Sequence, residues 1–175
     1  KVDDRVFAMQ QCKVLPVCYL LQSLYPHLYP LHKLSDEKPI KCGKDEIPSA
    51  PLLQLSSANI DRTGLFLMDT GESMYLLVGS GIGDQMCQDV FDKPNFVSIP
   101  GDMVDLPELD NPTSERIRSF VNYLMDSRPH GVTFLIIRDD SKNRHLFFQH
   151  MLEDRTENSM SYFGFLQFLQ GKAKA

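Results

Sequence analysis

Three stretches of the chain are apolar at nearly every position: Leu65–Met68, Met74–Val78 and Val132–Ile137. Unbroken apolar runs of this length suit strands covered on both faces, at the centre of a sheet. The first two are joined by Asp69-Thr70-Gly71-Glu72, turn-forming residues that make the pair a hairpin. Elsewhere the apolar positions take the helical period. Asn111-Pro112 supplies an N-cap and a first-turn proline, and Ile117, Phe120, Val121, Leu124 and Met125 then follow the amphipathic pattern. Residues 1–24 also read as helical, with Val17, Leu20, Leu21 and Leu24 one turn apart after Pro16, until Tyr25-Pro26 ends the pattern. Further helices are predicted over 142–152 and 161–169, and one opens after Gly79–Asp84. Leu28–Leu34 and Leu52–Leu55 read as short strands, and 35–50, with Pro39, Gly43 and Pro48 among charges, reads as a loop. The predicted fold class is α/β (α+β): a central, mostly antiparallel or mixed sheet with helices on both faces.

Composition narrows the partners more than the fold. The 175 residues are 42% hydrophobic and 23% charged, ordinary for a soluble globular chain that can bury a core. The net charge of −5 is unevenly spread. Asp84, Asp89, Asp92, Asp102, Asp105, Glu108 and Asp110 face only Lys93 over that stretch, which repels phosphate backbones and argues against nucleic acid. Lysines 33, 38, 41 and 44 are diluted by Asp36, Glu37 and Asp45, and read as a solvated loop. The cysteines (12, 18, 42 and 87) lack knuckle spacing. A zinc site can be drawn from Cys18, His27, His32 and Cys42, but without C-x2-C or H-x3-H spacing free thiols are the better reading, in a reducing cytosol. No apolar run approaches the ~18 residues that span a bilayer. Lys1 in place of an initiator methionine reads as the start of a piece of something longer.

Two motifs imitate enzymes. "LFLMDTGES", Leu65–Ser73, is how an aspartic protease loop begins, and that chemistry needs two carboxylates sharing one proton. There is one such triplet here, Glu72 follows where a small residue is usual, and Leu77-Val78-Gly79 comes too soon to be the supporting segment. Asp69 is therefore expected to end a strand before a turn. "GSGIGD", Gly79–Asp84, sits between a strand and a helix as a phosphate cradle would. Its spacing is wrong, no Lys-Ser/Thr follows, and Asp84 would itself occupy the helix start. The histidines (27, 32, 130, 145 and 150) accompany no nucleophile motif. No catalytic, cofactor-binding or metal-ligating residue is assigned.

Longer segments carry a resemblance. "TGLFLMDTGESMYLLVGSG" resembles the paired strands of a gelsolin-like domain. "LPELDNPTSERIRSFVNYLMDSRP" and "FFQHMLEDRTENSMSYFGFLQFLQ" are similar to C-terminal segments of the cargo-adaptor subunit of the COPII vesicle coat, the Sec twenty-four family, and closer to its A and B branch. "DDRVFAMQQCKVLPVCYLLQSLYPHLY" resembles the end of that family's helical domain and the entry to its gelsolin-like domain. There are departures. Gly164 stands where relatives commonly place Glu, so Ser161 must cap its helix alone, and Thr70 stands where Cys or Ala is frequent.

The resemblance implies a gelsolin-like domain over 25–172 preceded by the end of a helical domain over 1–24. It implies a non-enzymatic role in protein sorting and vesicle transport from endoplasmic reticulum to Golgi. The expected partners are a Sec twenty-three-type coat subunit, other coat proteins and, through the full-length chain, cargo membrane proteins. The expected place is the cytoplasm, peripheral on the endoplasmic reticulum membrane and coated vesicles. Zinc is expected only in an N-terminal part of the full-length protein. The alternative is a gelsolin-type, calcium-dependent actin-binding module. Gelsolin repeats take a calcium ligand from an Asp directly after the glycine that opens the first central strand. Here that position is Leu65, after Gly64, and an aliphatic side chain cannot ligate calcium.

Overall fold

The computed structural model describes residues 2–101, 103–128, 131–151 and 158–173; Asp102, His130 and the predicted helix end at Leu152 lie outside the described residues. The elements are α1 (Val2–Val14), α2 (Val17–Leu24), β1 (His27–Pro30), β2 (Ser35–Cys42), β3 (Asp45–Ser49), β4 (Leu65–Asp69), β5 (Ser73–Val78), α3 (Asp84–Phe91), α4 (Pro112–Asp126), β6 (Thr133–Arg138), α5 (Arg144–Phe148) and α6 (Tyr162–Ala173). The three apolar runs form the centre of a four-stranded mixed sheet in the order β1-β4-β5-β6. β4 pairs antiparallel with β1 and β5, with Leu65 opposite Val78, and β5 pairs parallel with β6, with Ser73 opposite Thr133. A parallel pair needs a long crossover. Residues between β5 and β6 supply it, and carry α3 and α4.

Period-two alternation divides the strands between two cores. Leu65, Leu67, Met74, Leu76, Val78, Phe134 and Ile136 meet Cys87, Val90 and Phe91 of α3 and Ile117, Phe120 and Val121 of α4 on one face. Phe66, Met68, Leu77 and Ile137 meet Leu28, Leu55 and Phe147 of α5 on the other. α4 begins as its sequence predicts. Asn111 accepts a bond from the Ser114 N–H at 2.8 Å, and Pro112 takes the first turn.

Four local predictions need correction. Residues 35–50 are not a loop: β2 and β3 form a separate two-stranded hairpin, turning at Gly43 with φ +64. Asp36, Glu37, Lys38, Lys41, Lys44 and Glu46 face solvent, and Arg116 of α4 holds the hairpin through an ion pair with Asp36 and a bond to the Leu34 carbonyl. The strand predicted over Leu28–Leu34 stops at Pro30 and turns into a 3-10 turn at Leu31–Lys33. Leu52–Leu55 contributes one bridge, between Leu53 and Leu28, rather than a strand. The helix expected from Lys142 is shorter within the described residues, five residues in α5.

Candidate functional site

Asp69 is the last residue of β4, and its side chain is 1% exposed. A carboxylate so deeply placed needs partners for both oxygens. Oδ1 accepts the Gly71 N–H at 3.0 Å, and Oδ2 is ion-paired with the Arg128 guanidinium, itself 5% exposed. Arg128 also donates to the Gly71 carbonyl at 3.2 Å. The Thr70 hydroxyl donates to the Ser73 carbonyl at 2.9 Å and accepts the Ser73 N–H at 3.0 Å. Gly71 has φ +90, a conformation that side chains rarely adopt. The turn is thus closed on itself and clamped to the residue just past the end of α4.

This geometry is not that of a carboxylate dyad. A dyad shares a proton between two carboxylates, whereas Asp69 is paired with a guanidinium that stays protonated. Beside the pair, the Tyr29 hydroxyl lies 3.2 Å from His27 Nδ1, and its ring meets Phe120 edge-on at 5.2 Å. Burial pushes the Tyr29 hydroxyl well above its usual range, with the Asp69 charge adding to the shift. Burial holds the His27 imidazole below its usual range; Asp69 opposes that shift and Arg128 adds to it. The sequence reading placed Asp69 correctly at a strand end but missed Arg128. The available signal was an Asp embedded in an apolar run, which requires a cation from elsewhere.

The glycine-rich loop is also committed internally. The Gly79 N–H bonds the Gly64 carbonyl at 3.0 Å and the Gly81 N–H bonds the Arg62 carbonyl at 2.8 Å. A Cβ on Gly79 would lie 2.1 Å from the Arg62 oxygen, so this glycine permits a close backbone crossing. The four zinc-candidate residues are not gathered. Cys18 and His27 border one groove, His32 Nδ1 lies 3.1 Å from the Leu65 carbonyl oxygen, and Cys42 is exposed on β2. Leu65, at the gelsolin calcium position, is buried on the sheet.

A different surface is available for binding. α2, the segment Leu52–Leu55 and α6 enclose an open apolar groove of about 340 Å³. Tyr25 stacks on Tyr162 at 4.3 Å, joining α2 to α6. The Ser161 hydroxyl accepts the Gly164 N–H at 3.0 Å, so this serine caps α6 without a reciprocal carboxylate. Sequence patterning did not reveal the groove, because its walls come from three distant segments.

Comparison with known proteins gives concordant findings. A gelsolin repeat model matches residues 46–121. The human protein transport protein Sec24B is 43% identical over 170 residues, taking in 97% of this chain and 13% of that protein. Human Sec24A is 42% identical over 170 residues, taking in 97% of this chain and 16% of that protein. The crystal structure of the human COPII-coat protein Sec24c superposes with a TM-score of 0.69 over 91% of this chain and 20% of that one, at 24% identity, a match of fold. The chain spans less than a fifth of the length of the Sec24A and Sec24B relatives.

Proposed function

The chain belongs to the family of the Sec24A and Sec24B protein transport proteins, carrying its gelsolin-like segment, and we propose that it serves as a non-enzymatic scaffold and interaction domain of a COPII cargo adaptor. The observation that carries this reading is the 43% identity over nearly the whole chain, on a fold shared with a coat protein of known structure. The internal pairing of Asp69 supports the same view, since it leaves the protease-like triplet a structural task. In this reading the domain acts at the cytoplasmic side of the endoplasmic reticulum, within the coat, in transport towards the Golgi. A Sec twenty-three-type subunit is its coat partner, and cargo is engaged by the full-length chain. Residues 1–24 are the end of a helical domain and 25–172 the gelsolin-like domain. Any zinc belongs to another part of the full-length protein.

A pull-down tests the reading directly. Full-length chain should capture the Sec twenty-three-type subunit and cargo tails. The 175-residue chain should compete for coat partners without selecting cargo. Failure of both to bind the coat subunit would sink the proposal. The enzyme question has its own test: purified chain should show no pepstatin-sensitive acid cleavage, so Asp69→Asn, which orphans the buried Arg128, should cost stability and remove no activity. The actin-binding alternative predicts a saturable, stoichiometric heat on millimolar calcium titration; none is expected with Leu65 at the ligand position.

A further inference from the structure

The β2–β3 hairpin does not lie flush on α4. Two adjoining hollows of about 540 and 370 Å³ run between them and share Tyr123 and Ser127. The outer hollow is walled by β2, β3, α4 and Ser127, and has no residue in common with the α2–α6 groove. Glu46 and Asp126 stand exposed at its rim, and among the described residues neither has an ion-pair partner. Lys41 lies opposite Glu46 across the hairpin without pairing to it. The end of α4 adds to the negative charge. Asp126 is its last residue, no basic side chain stands in that turn, and a helix C-terminus favours a cation. Arg128, just beyond, is already engaged by Asp69 and the Gly71 carbonyl. The inner hollow differs. Tyr29, Ile40, Phe120 and Leu124 line it, and the charges of Asp69 and Arg128 neutralise each other there.

We propose that this cleft binds an extended peptide segment of another protein, with an arginine in the outer hollow and an apolar side chain in the inner one. Charge complementarity selects the arginine. Two unpaired carboxylates, the negative end of a helix and the half-buried Tyr123 ring converge on the outer hollow. A guanidinium answers all three, because its planar fork matches a carboxylate and its face stacks on an aromatic ring. The inner hollow offers no unbalanced charge and takes an aliphatic or aromatic side chain by burial. The two hollows adjoin along one side of α4. In an extended peptide, side chains two positions apart point the same way, so the apolar residue and the arginine are separated by one residue that faces solvent. A net charge of −5 favours approach of a basic segment.

This inference goes beyond the coat reading and stands or falls separately from it. The test is fluorescence anisotropy with two labelled, capped peptides, Gly-Ser-Leu-Ser-Arg-Ser-Gly and its reversed order. Each is titrated with the 175-residue chain and with the full-length protein. Saturable binding of at least one peptide to both proteins is expected, weakening as salt is raised. Glu46→Gln combined with Asp126→Asn should raise the dissociation constant by about tenfold, within the range of two exposed ion pairs. Both residues are exposed and unpaired, so the fold should survive, which circular dichroism checks. Glu37→Gln removes the same kind of charge from β2 outside the cleft and should leave binding unchanged. Alanine in place of the peptide's arginine should weaken binding at least as much as the double variant does. Absence of binding, or binding indifferent to the double variant or to loss of the arginine, overturns the proposal. A loss with Glu37→Gln equal to that of the double variant overturns it in favour of non-specific attraction. Binding to the 175-residue chain but not to the full-length protein also overturns it, since the cleft is then covered by another part of the same protein.

Discussion

The hairpin turn at Asp69 and the face formed by α2 and α6 invert each other. At the turn, a charge is buried and every nearby polar group has a partner. On the helical face, aromatic side chains stand about half exposed, with Lys172 over the Phe168 ring. The first arrangement is costly to form and costly to break, because unpaired buried charge has no alternative partner. The second costs little locally, and its stability depends on what comes to cover it. The centre of this domain is thus held by specific, enclosed contacts, while the helical fringe is held loosely and left available.

The largest effect should come from breaking the enclosed side. Arg128→Ala leaves Asp69 buried without its cation, and should destabilise the domain by about 3–5 kcal/mol in denaturant unfolding. If the cost comes from the orphaned charge, pairing Arg128→Leu with Asp69→Leu should recover much of it. A double variant as unstable as the sum of the singles would show that the two residues act independently, and the contrast drawn above would weaken.

A smaller loss is expected at the start of α4. Asn111 closes the helix with its side-chain oxygen on the Ser114 N–H and donates to the Asp89 carbonyl at 3.0 Å. Asn111→Ala should cost about 1 kcal/mol as a lost cap, measured by the same unfolding curve. A loss as large as that of Arg128→Ala would place the critical joint at α3–α4 instead of the turn.

These two sites differ in how readable they were. Asn111-Pro112 is a local signal, and the helix follows in the next fifteen residues. β4, β5 and β6 were equally legible, because burial on both faces leaves an unbroken apolar record. β2 and β3 were not: a two-stranded hairpin over α4 needs few apolar residues, so Pro39, Pro48 and the lysines gave it the composition of a loop. The Asp69–Arg128 pair was invisible for another reason. Its members are 59 positions apart and meet only once α4 packs on the sheet. Among the described residues, the groove has the same non-local origin.

Acid offers a gentler way to probe the enclosed side. Burial holds the imidazoles of His27 and His150 below their usual range, and unfolding returns them to about 6.5. Between the folded and unfolded values the unfolded chain binds more protons, so it is favoured as pH falls. The stability held above about pH 6.5 should decline below it and level off once the pH passes the folded values. Asp61 and Asp140, whose carboxyls lie below the ordinary value, act in a lower window: their contribution is present above about pH 4 and is lost as pH falls through the folded values. Thermal midpoints between pH 7.5 and 5 should therefore fall, and His27→Gln should flatten the slope. An unchanged slope would remove His27 from the account.

The smallest effect on stability should come from α1, where the contrast is most extreme. Val6, Phe7, Met9 and Val14 are all more than half exposed, and its described tie to the sheet region is Gln11 donating to Glu72. Full burial of one such side chain is worth roughly 1.5–3 kcal/mol, and α1 realises little of that within one copy. Phe7→Gln should therefore move unfolding by no more than about 0.5 kcal/mol, the range of ordinary surface substitutions. Hydrogen exchange gives the sharper reading. In a dilute, monomeric sample, the amides of 2–12 should open locally and exchange well before those of Thr133–Arg138, which open only with the core. Residues 17–24 should fall between them, since Tyr25 fastens the end of α2 to Tyr162. Protection of 2–12 equal to that of β6 in the monomer would mean that α1 belongs to the enclosed domain, and the boundary proposed at residue 24 would have to move to the start of the chain.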